Sequence, residues 1–64
     1  MKNLEIGKIY KDKRNTGDVV VIVDYQMGRY TAFEMDYNEE KADYEATCIL
    51  RYITNNEAQH YKEV

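Results

Sequence analysis

Several residue types are absent from this chain or rare in it. It has no proline, no tryptophan and no serine, and it has one cysteine, one histidine, one phenylalanine and three glycines. Without serine there is no serine nucleophile, and a single cysteine cannot form an intramolecular disulfide. Cys48 and His60 are too few to supply the ligands of a structural zinc site. Disulfides and structural metals, which often stabilise small domains, are therefore excluded, and we expect neither a metal nor another cofactor.

The chain has 64 residues and lacks any long apolar run. A domain of this size buries only about 60% of the surface that its unfolded chain exposes, so a deep substrate cavity is not expected and neither is an enzyme. No basic-then-apolar leader opens the chain, and no apolar run approaches the ~20 residues that span a membrane. Cys48, in the apolar stretch 47–50, fits a small core residue in a reducing compartment. We expect a cytoplasmic protein with one domain, residues 1–64.

The strongest structural signal is a run of five β-branched residues at 19–23, which favours a strand over a helix. Residues 25–28 predict a hairpin loop and residues 29–35 the returning strand, with Val23 opposite Tyr30. Both faces of this hairpin are too apolar for open water, so we expect self-association, as a homodimer, through one of them. That face comprises Val19, Val21, Val23, Tyr30 and Ala32.

The remaining segments predict further short strands. An irregular segment leads into a strand near Tyr10, residues 13–18 form a polar turn, and residues 36–42 form a charged loop. Residues 43–54 alternate as one or two strands, and Asn56 with Gln59 indicates a capping box for a short C-terminal helix through Lys62. We therefore expect a mainly β fold with a short C-terminal helix. Since open sheet edges invite aggregation, the sheet would form a small antiparallel barrel or curl strongly.

The chain resembles the SH3-like small barrels in three places. Ile6-Gly7-Lys8-Ile9-Tyr10 is similar to their opening segment, the valine-rich residues 19–24 to their second strand, and residues 49–53 to their closing turn and strand. The chain is also similar to the very short proteins that bacteriophages and other mobile elements encode. The resemblance implies an architecture and a phage-like source, but no function by itself.

The first candidate site is the acidic stretch 34–45. Six carboxylates stand there against one lysine, a local charge of −5. Such a surface could mimic nucleic-acid phosphates and bind the basic surface of a host protein, acting as an inhibitor, with two tyrosines adding rigid contact area. The alternative is a solvated loop that keeps the protein soluble. The candidate partner-binding residues are Glu34, Asp36, Tyr37, Glu39, Glu40, Asp43, Tyr44 and Glu45.

A second candidate is the basic turn 8–14. Residues 1–17 sum to +3, and small barrels bind single-stranded nucleic acid with basic loops and aromatic platforms. Against this interpretation, the whole domain is acidic, with a pI near 5.0. An ordinary charged turn is the other explanation. The candidate nucleic-acid-binding residues are Lys8, Tyr10, Lys11, Lys13 and Arg14.

Two further patterns are weaker. Asp36, Asn38 and Glu40 match offsets 1, 3 and 5 of an EF-hand loop, but Lys41 and Thr47 stand where the loop requires glycine and glutamate, so calcium is not expected. The seven tyrosines could line a groove for proline-rich ligands, but the tryptophan typical of such grooves is missing. We expect several tyrosines in the core with their hydroxyls at its rim.

Overall fold

The computed structural model describes residues 4–64, except for the side chain of Thr16. Five antiparallel strands form one sheet in the order β4-β3-β2-β1-β5, which confirms the mainly β prediction. Within the described residues β4 and β5 do not pair, so the sheet is not closed. The elements are β1 (Ile9–Asp12), β2 (Asn15–Gln26), β3 (Arg29–Asn38), β4 (Asp43–Thr54), α1 (Asn55–Ala58) and β5 (Tyr61–Glu63).

The β2–β3 hairpin closes on a two-residue turn, Met27 and Gly28. Both have positive φ, 52° and 76°, as a type I′ turn requires. The predicted register was wrong: Tyr30 lies opposite Tyr25 and not Val23, and Ala32 lies opposite Ile22, because the ladder shifts between Ile22 and Asp24. Val23 is left unpaired in this shift, which lets the turn and the valine run each keep their preferred geometry. A slip of one residue exchanges the faces of β3 relative to β2.

The core lies on one face of the sheet and is closed by the chain ends. Tyr10, Val20, Ile22, Tyr30, Ala32 and Ile53 come from four strands, and Leu4, Ala58 and Tyr61 cover them. The Tyr30 hydroxyl accepts a hydrogen bond from the Leu4 backbone N–H (3.1 Å), and the Tyr10 hydroxyl accepts one from Glu5 (2.8 Å). Tyrosines in the core with satisfied hydroxyls were expected. Residues 4–8 are thereby fixed at the edge of the core.

The face predicted for self-association does not exist as one surface. Val19, Tyr30 and Ala32 are buried, while Val23 is exposed. The opposite face of the sheet instead carries a row of directly paired apolar residues, of which Leu50 is 44% exposed. This row consists of Ile9, Val21, Phe33 and Leu50.

Several predicted boundaries were wrong. The polar turn is only Lys13 and Arg14, because strand pairing resumes at Asn15. Strand β3 continues through Asn38, so the charged loop shrinks to residues 39–42. Residues 43–54, by contrast, form a single strand, β4, which is one of the two predicted alternatives, and residues 49–53 lie inside it.

The C-terminal segment also differs from its prediction. The capping box joins Thr54 and Glu57, two residues before the predicted pair, and the helix ends at Ala58. The chain then returns as β5 beside β1, so Lys62 is in a strand. Ala58 and Tyr61 pack into the core.

Cys48 is exposed, so its predicted role as a core residue is wrong. It lies where residues 47–49 of β4 together face Glu34 of β3, in a bulge between the pairs Phe33–Leu50 and Met35–Ala46. A bulge in an edge strand turns side chains outward and interrupts the row of free backbone groups. Among residues 4–64, no helix has the length and apolar character needed to cross a membrane.

Candidate functional site

The acidic candidate residues meet at the tip of the β3–β4 hairpin, which we call the acidic tip (residues 36–45). Its four-residue turn is held by Asn38, whose side-chain oxygen accepts hydrogen bonds from the backbone N–H groups of Glu40 (2.9 Å) and Lys41 (3.3 Å). The Ala42 N–H donates to the Glu39 carbonyl (3.3 Å), and Ala42 takes a positive φ of 54°. An asparagine that satisfies local backbone donors favours such a turn. The turn projects Glu39 and Glu40 into solvent.

Five exposed carboxylates surround this tip, belonging to Asp36, Glu39, Glu40, Asp43 and Glu45. Lys41 is the one cation in the segment, and it pairs with Glu45 at 2.9 Å. Five negative charges and one positive charge give the tip a local charge of −4. Four of the carboxylates border a single open concavity of about 470 Å³. The residues that line it are Asp36, Tyr37, Asn38, Glu39, Glu40 and Glu45.

These carboxylates do not converge on one point. Among the described residues, no three side chains of the metal-binding types come close enough together to hold an ion. The tip therefore presents a broad negative field rather than a coordination site. A broad field of one sign attracts an extended surface of the opposite sign.

The two tyrosines of the tip form a rigid pair. Tyr37 and Tyr44 are direct cross-strand partners, and their rings meet edge to face with centroids 5.2 Å apart. Tyr37 is 54% exposed. Tyrosine offers a large contact area at low entropic cost, which is typical of residues that anchor protein interfaces.

An apolar groove of about 450 Å³ adjoins the tip, and sequence reasoning did not find it. Its apolar walls are Ile9, Tyr37, Tyr44 and Val64. Val64 is held there because its N–H donates to the Ile9 carbonyl (3.0 Å), which extends the pairing of β5 with β1. The walls come from three segments distant in sequence. Tyr37 and Tyr44 were predicted as contact residues, but no local pattern connects them with Ile9 and Val64. The groove is completed by Gly7, Lys8, Ala42, Asp43 and Glu63.

Glu34, the first of the predicted partner-binding residues, lies away from the tip. It is half-buried and accepts a hydrogen bond from Arg51 (3.1 Å), which also makes two bonds to Asp18 (2.8 and 3.0 Å). These two carboxylates raise the pKa of Arg51 above its ordinary value, mainly through the hydrogen bonds to Asp18 and then Glu34. Glu34 therefore belongs to an internal ion network that joins β2, β3 and β4.

Two of the four basic candidate residues, Lys8 and Arg14, are paired with carboxylates. Asp12, which is buried, accepts three bonds from Arg14: from the backbone N–H (2.8 Å), from Nε (3.1 Å) and from Nη2 (3.1 Å). These bonds hold the pKa of Asp12 below its ordinary value of 3.8. Lys8 pairs with Glu63 (3.4 Å) and Glu5 (3.7 Å). The pKa of Lys8 is raised above its ordinary value, and the hydrogen bond to Glu63 is the main cause.

The predicted aromatic platform of that second site is wrong. Tyr10 is 1% exposed and its ring packs in the core, so it cannot stack on a base. Lys11 is half-buried and Lys13 is exposed in the β1–β2 turn. The basic turn therefore lacks the aromatic platform that was expected from Tyr10. Residues 1–3 of the basic segment lie outside the described part.

No protein-family model matches this chain, and neither the curated proteins nor the solved structures searched gave a match. The site is therefore interpreted from its own geometry.

Proposed function

We propose that this protein is a small binding module that engages the basic surface of a partner protein through its acidic tip. The observation that carries the proposal is the difference in charge pairing. The carboxylates of Asp36, Glu39 and Glu40 stand exposed around one concavity, whereas Arg14, Arg51 and Lys8 are each bound to carboxylates of the fold. Among the described residues, Glu45 is the only one of the five tip carboxylates that pairs with a cation, so the other four leave a concentrated negative charge at the tip.

Concentrated charge acts mainly on the rate of encounter. The five carboxylates of the tip lie on two paired strands and one four-residue turn, so they act together on an approaching cation. Complementary fields of this kind speed association and orient the partner, and they weaken as salt rises because the Debye length is ~8 Å at physiological ionic strength. The Tyr37–Tyr44 pair then supplies the desolvated contact area that carboxylates lack.

The proposal extends to inhibition. Proteins that bind nucleic acid carry basic surfaces that neutralise phosphates. A rigid hairpin with carboxylates on both strands competes for such a surface, and a mobile-element source, which the resemblance implies, supplies a host target. We further infer that the sheet, although not closed, is a partly open variant of the SH3-like small barrels. In support, Gly7 bends the chain into β1 at φ 89°, and the valine-rich β2 pairs with both β1 and β3.

Affinity capture with matched charge variants tests the function. The tip variant Glu39→Lys/Glu40→Lys and the control variant Glu5→Lys/Asp24→Lys each change the net charge from −3 to +1. All four residues are exposed, but the control pair lies toward the opposite end of β3. Asp43 is left unchanged because it also lines the neighbouring apolar groove. The control variant loses one local hydrogen bond, from the Tyr25 N–H to the Asp24 carboxylate (2.8 Å).

The expected result is that wild type and the control variant retain the same basic proteins from a cell lysate, and that the tip variant loses them. Retention by the tip variant, or equal loss from both variants, would contradict a role for the tip. Circular dichroism checks that each variant is folded.

The alternative function, nucleic-acid binding through the 8–14 turn, rests on Lys11 and Lys13. Its test is a titration with a fluorescent single-stranded oligonucleotide. Binding that falls with Lys11→Glu/Lys13→Glu and persists in the tip variant would replace the proposed function by this alternative.

A further inference from the structure

The acidic concavity and the apolar groove share one wall. Tyr37 lines both, and Asp43 lines the groove from the β4 side of the same hairpin. A segment that lies across Tyr37 therefore touches carboxylates on one side and apolar walls on the other. Neither surface needs to move for this double contact.

The groove is a preformed apolar site. Tyr37 and Tyr44 fix each other through their edge-to-face contact, and Ile9 and Val64 are tied together by a backbone hydrogen bond of 3.0 Å. Lys8 and Glu63, paired at 3.4 Å, close the rim beside Val64 without adding net charge. A volume of about 450 Å³ is large enough for one large apolar side chain. Small sites of this type bind apolar anchor residues of a partner.

The charge around the groove selects its occupant. The neighbouring tip carries a charge of −4, so an apolar segment flanked by acidic residues is repelled, and one flanked by lysine or arginine is attracted. Resting on the proposed function, we infer that the partner presents a basic segment carrying one large apolar side chain. That side chain enters the groove between Ile9, Tyr44 and Val64, while the flanking cations face the carboxylates of the tip.

The two surfaces contribute differently to binding. The carboxylates set the association rate and its salt dependence, and the buried apolar side chain sets the dissociation rate. Exchanging the apolar residue of the partner for alanine therefore weakens binding without changing its dependence on salt.

The test is an NMR titration of the full chain, labelled with ¹⁵N, with two blocked peptides. Both have two lysines on each side of a central residue, which is leucine in one and alanine in the other. Both peptides are expected to shift the amide signals of residues 36–45. Only the leucine peptide is expected to shift those of Ile9 and Val64. It should also bind at least about five-fold more tightly, since partial burial of its three additional carbon atoms is favourable.

A pair of variants controls for nonspecific hydrophobic binding of the peptide. Val64 and Ile6 are similarly exposed aliphatic residues, at 59% and 61%, but only Val64 lines the groove. Val64→Asn should abolish the preference for leucine, and Ile6→Asn should leave it unchanged. Both substitutions keep the net charge, and dispersed amide spectra show that each variant is folded.

The two proposals fail in distinguishable ways. If both peptides bind equally and shift only the tip, the groove has no anchor role and the inference is overturned, while the acidic tip remains the binding surface. If neither peptide shifts the tip, the proposed function and the inference both fail.

Discussion

At the scale of single residues, hydrogen-bonding partners separate structural charges from free ones. Asp12 and Glu34 are both buried to some degree and both bind an arginine, while Glu39 and Glu40 project from a turn. The sequence shows all four as ordinary acidic residues. The predicted segment 34–45 therefore contains two kinds of carboxylate: Glu34, which pairs with Arg51 inside the fold, and the exposed carboxylates of the tip. Only the structure separates them. Pairs that are 17 or 33 residues apart leave no local pattern.

Asp12 gives a test at this scale. Its folded-state pKa is lowered, so the folded protein binds that proton more weakly than the unfolded chain. The stability that Asp12 contributes is therefore complete above the ordinary value of 3.8 and is lost as the pH falls through the lowered folded-state pKa. Asp12→Asn removes this contribution. At pH 7 we expect the variant to be less stable by about 1–3 kcal/mol.

Urea unfolding at pH 7 and pH 3 measures the effect. The gap in unfolding free energy between wild type and Asp12→Asn should shrink at pH 3, because pH 3 lies below the ordinary Asp12 pKa of 3.8. The other carboxylates titrate in both proteins and do not change the gap. Asp36→Asn, at an exposed aspartate, is the control and should show little difference at either pH. A gap of the same size at both pH values would mean that Asp12 acts through packing and not through its charge.

At the scale of elements, the β2–β3 turn requires a backbone conformation that only one of its two residues favours. Gly28, in the predicted hairpin loop, takes a left-handed conformation, with a φ of 76°. Met27 beside it also takes a positive φ, 52°, which no apolar side chain favours, and it is fully exposed. For residues other than glycine and asparagine, the left-handed conformation costs about 1–2 kcal/mol. Asparagine followed by glycine is the preferred pair in such turns.

Met27→Asn should therefore stabilise the protein. We expect a gain of about 1 kcal/mol, which corresponds to a rise in melting temperature of about 4–8 °C for a domain of this size. Met27→Gln is the matched control, because it also removes an exposed apolar side chain but does not favour a positive φ. Thermal melts by circular dichroism distinguish the two. Equal stabilisation by both substitutions would assign the effect to surface polarity and not to backbone conformation.

The existence of the main strand could be predicted from the sequence, but its register and the position of the helix cap could not. The strand through 19–23 was predicted because five β-branched residues leave few alternatives. The register failed because the ladder shifts beside Val23, and a bulge leaves no mark in a uniform valine run. The capping box was placed two residues late because Asn56–Gln59 and Thr54–Glu57 both fit the pattern, and β4 extends to Thr54, which is the N-cap.

At the scale of the whole molecule, strand β3 separates the Met27–Gly28 turn from the acidic tip. Strand β3 runs ten residues from the Met27–Gly28 turn to the acidic tip, a distance of about 30 Å at ~3.3 Å per residue. The longest dimension of the molecule is 37 Å. The acidic tip was predictable because its residues are contiguous in sequence. The apolar groove was not, because Ile9 and Val64 meet Tyr44 only after β5 has paired with β1.

The most direct test of the central claim is the association rate of a captured partner at two salt concentrations, about 50 and 300 mM. Wild type and the control variant Glu5→Lys/Asp24→Lys should associate much faster at low salt, and this dependence should be lost in Glu39→Lys/Glu40→Lys. The tip variant should also bind more slowly at low salt, because like charges then face each other. If the tip variant keeps the rate and the salt dependence of wild type, the acidic tip is only a solvated surface and the proposed function is wrong.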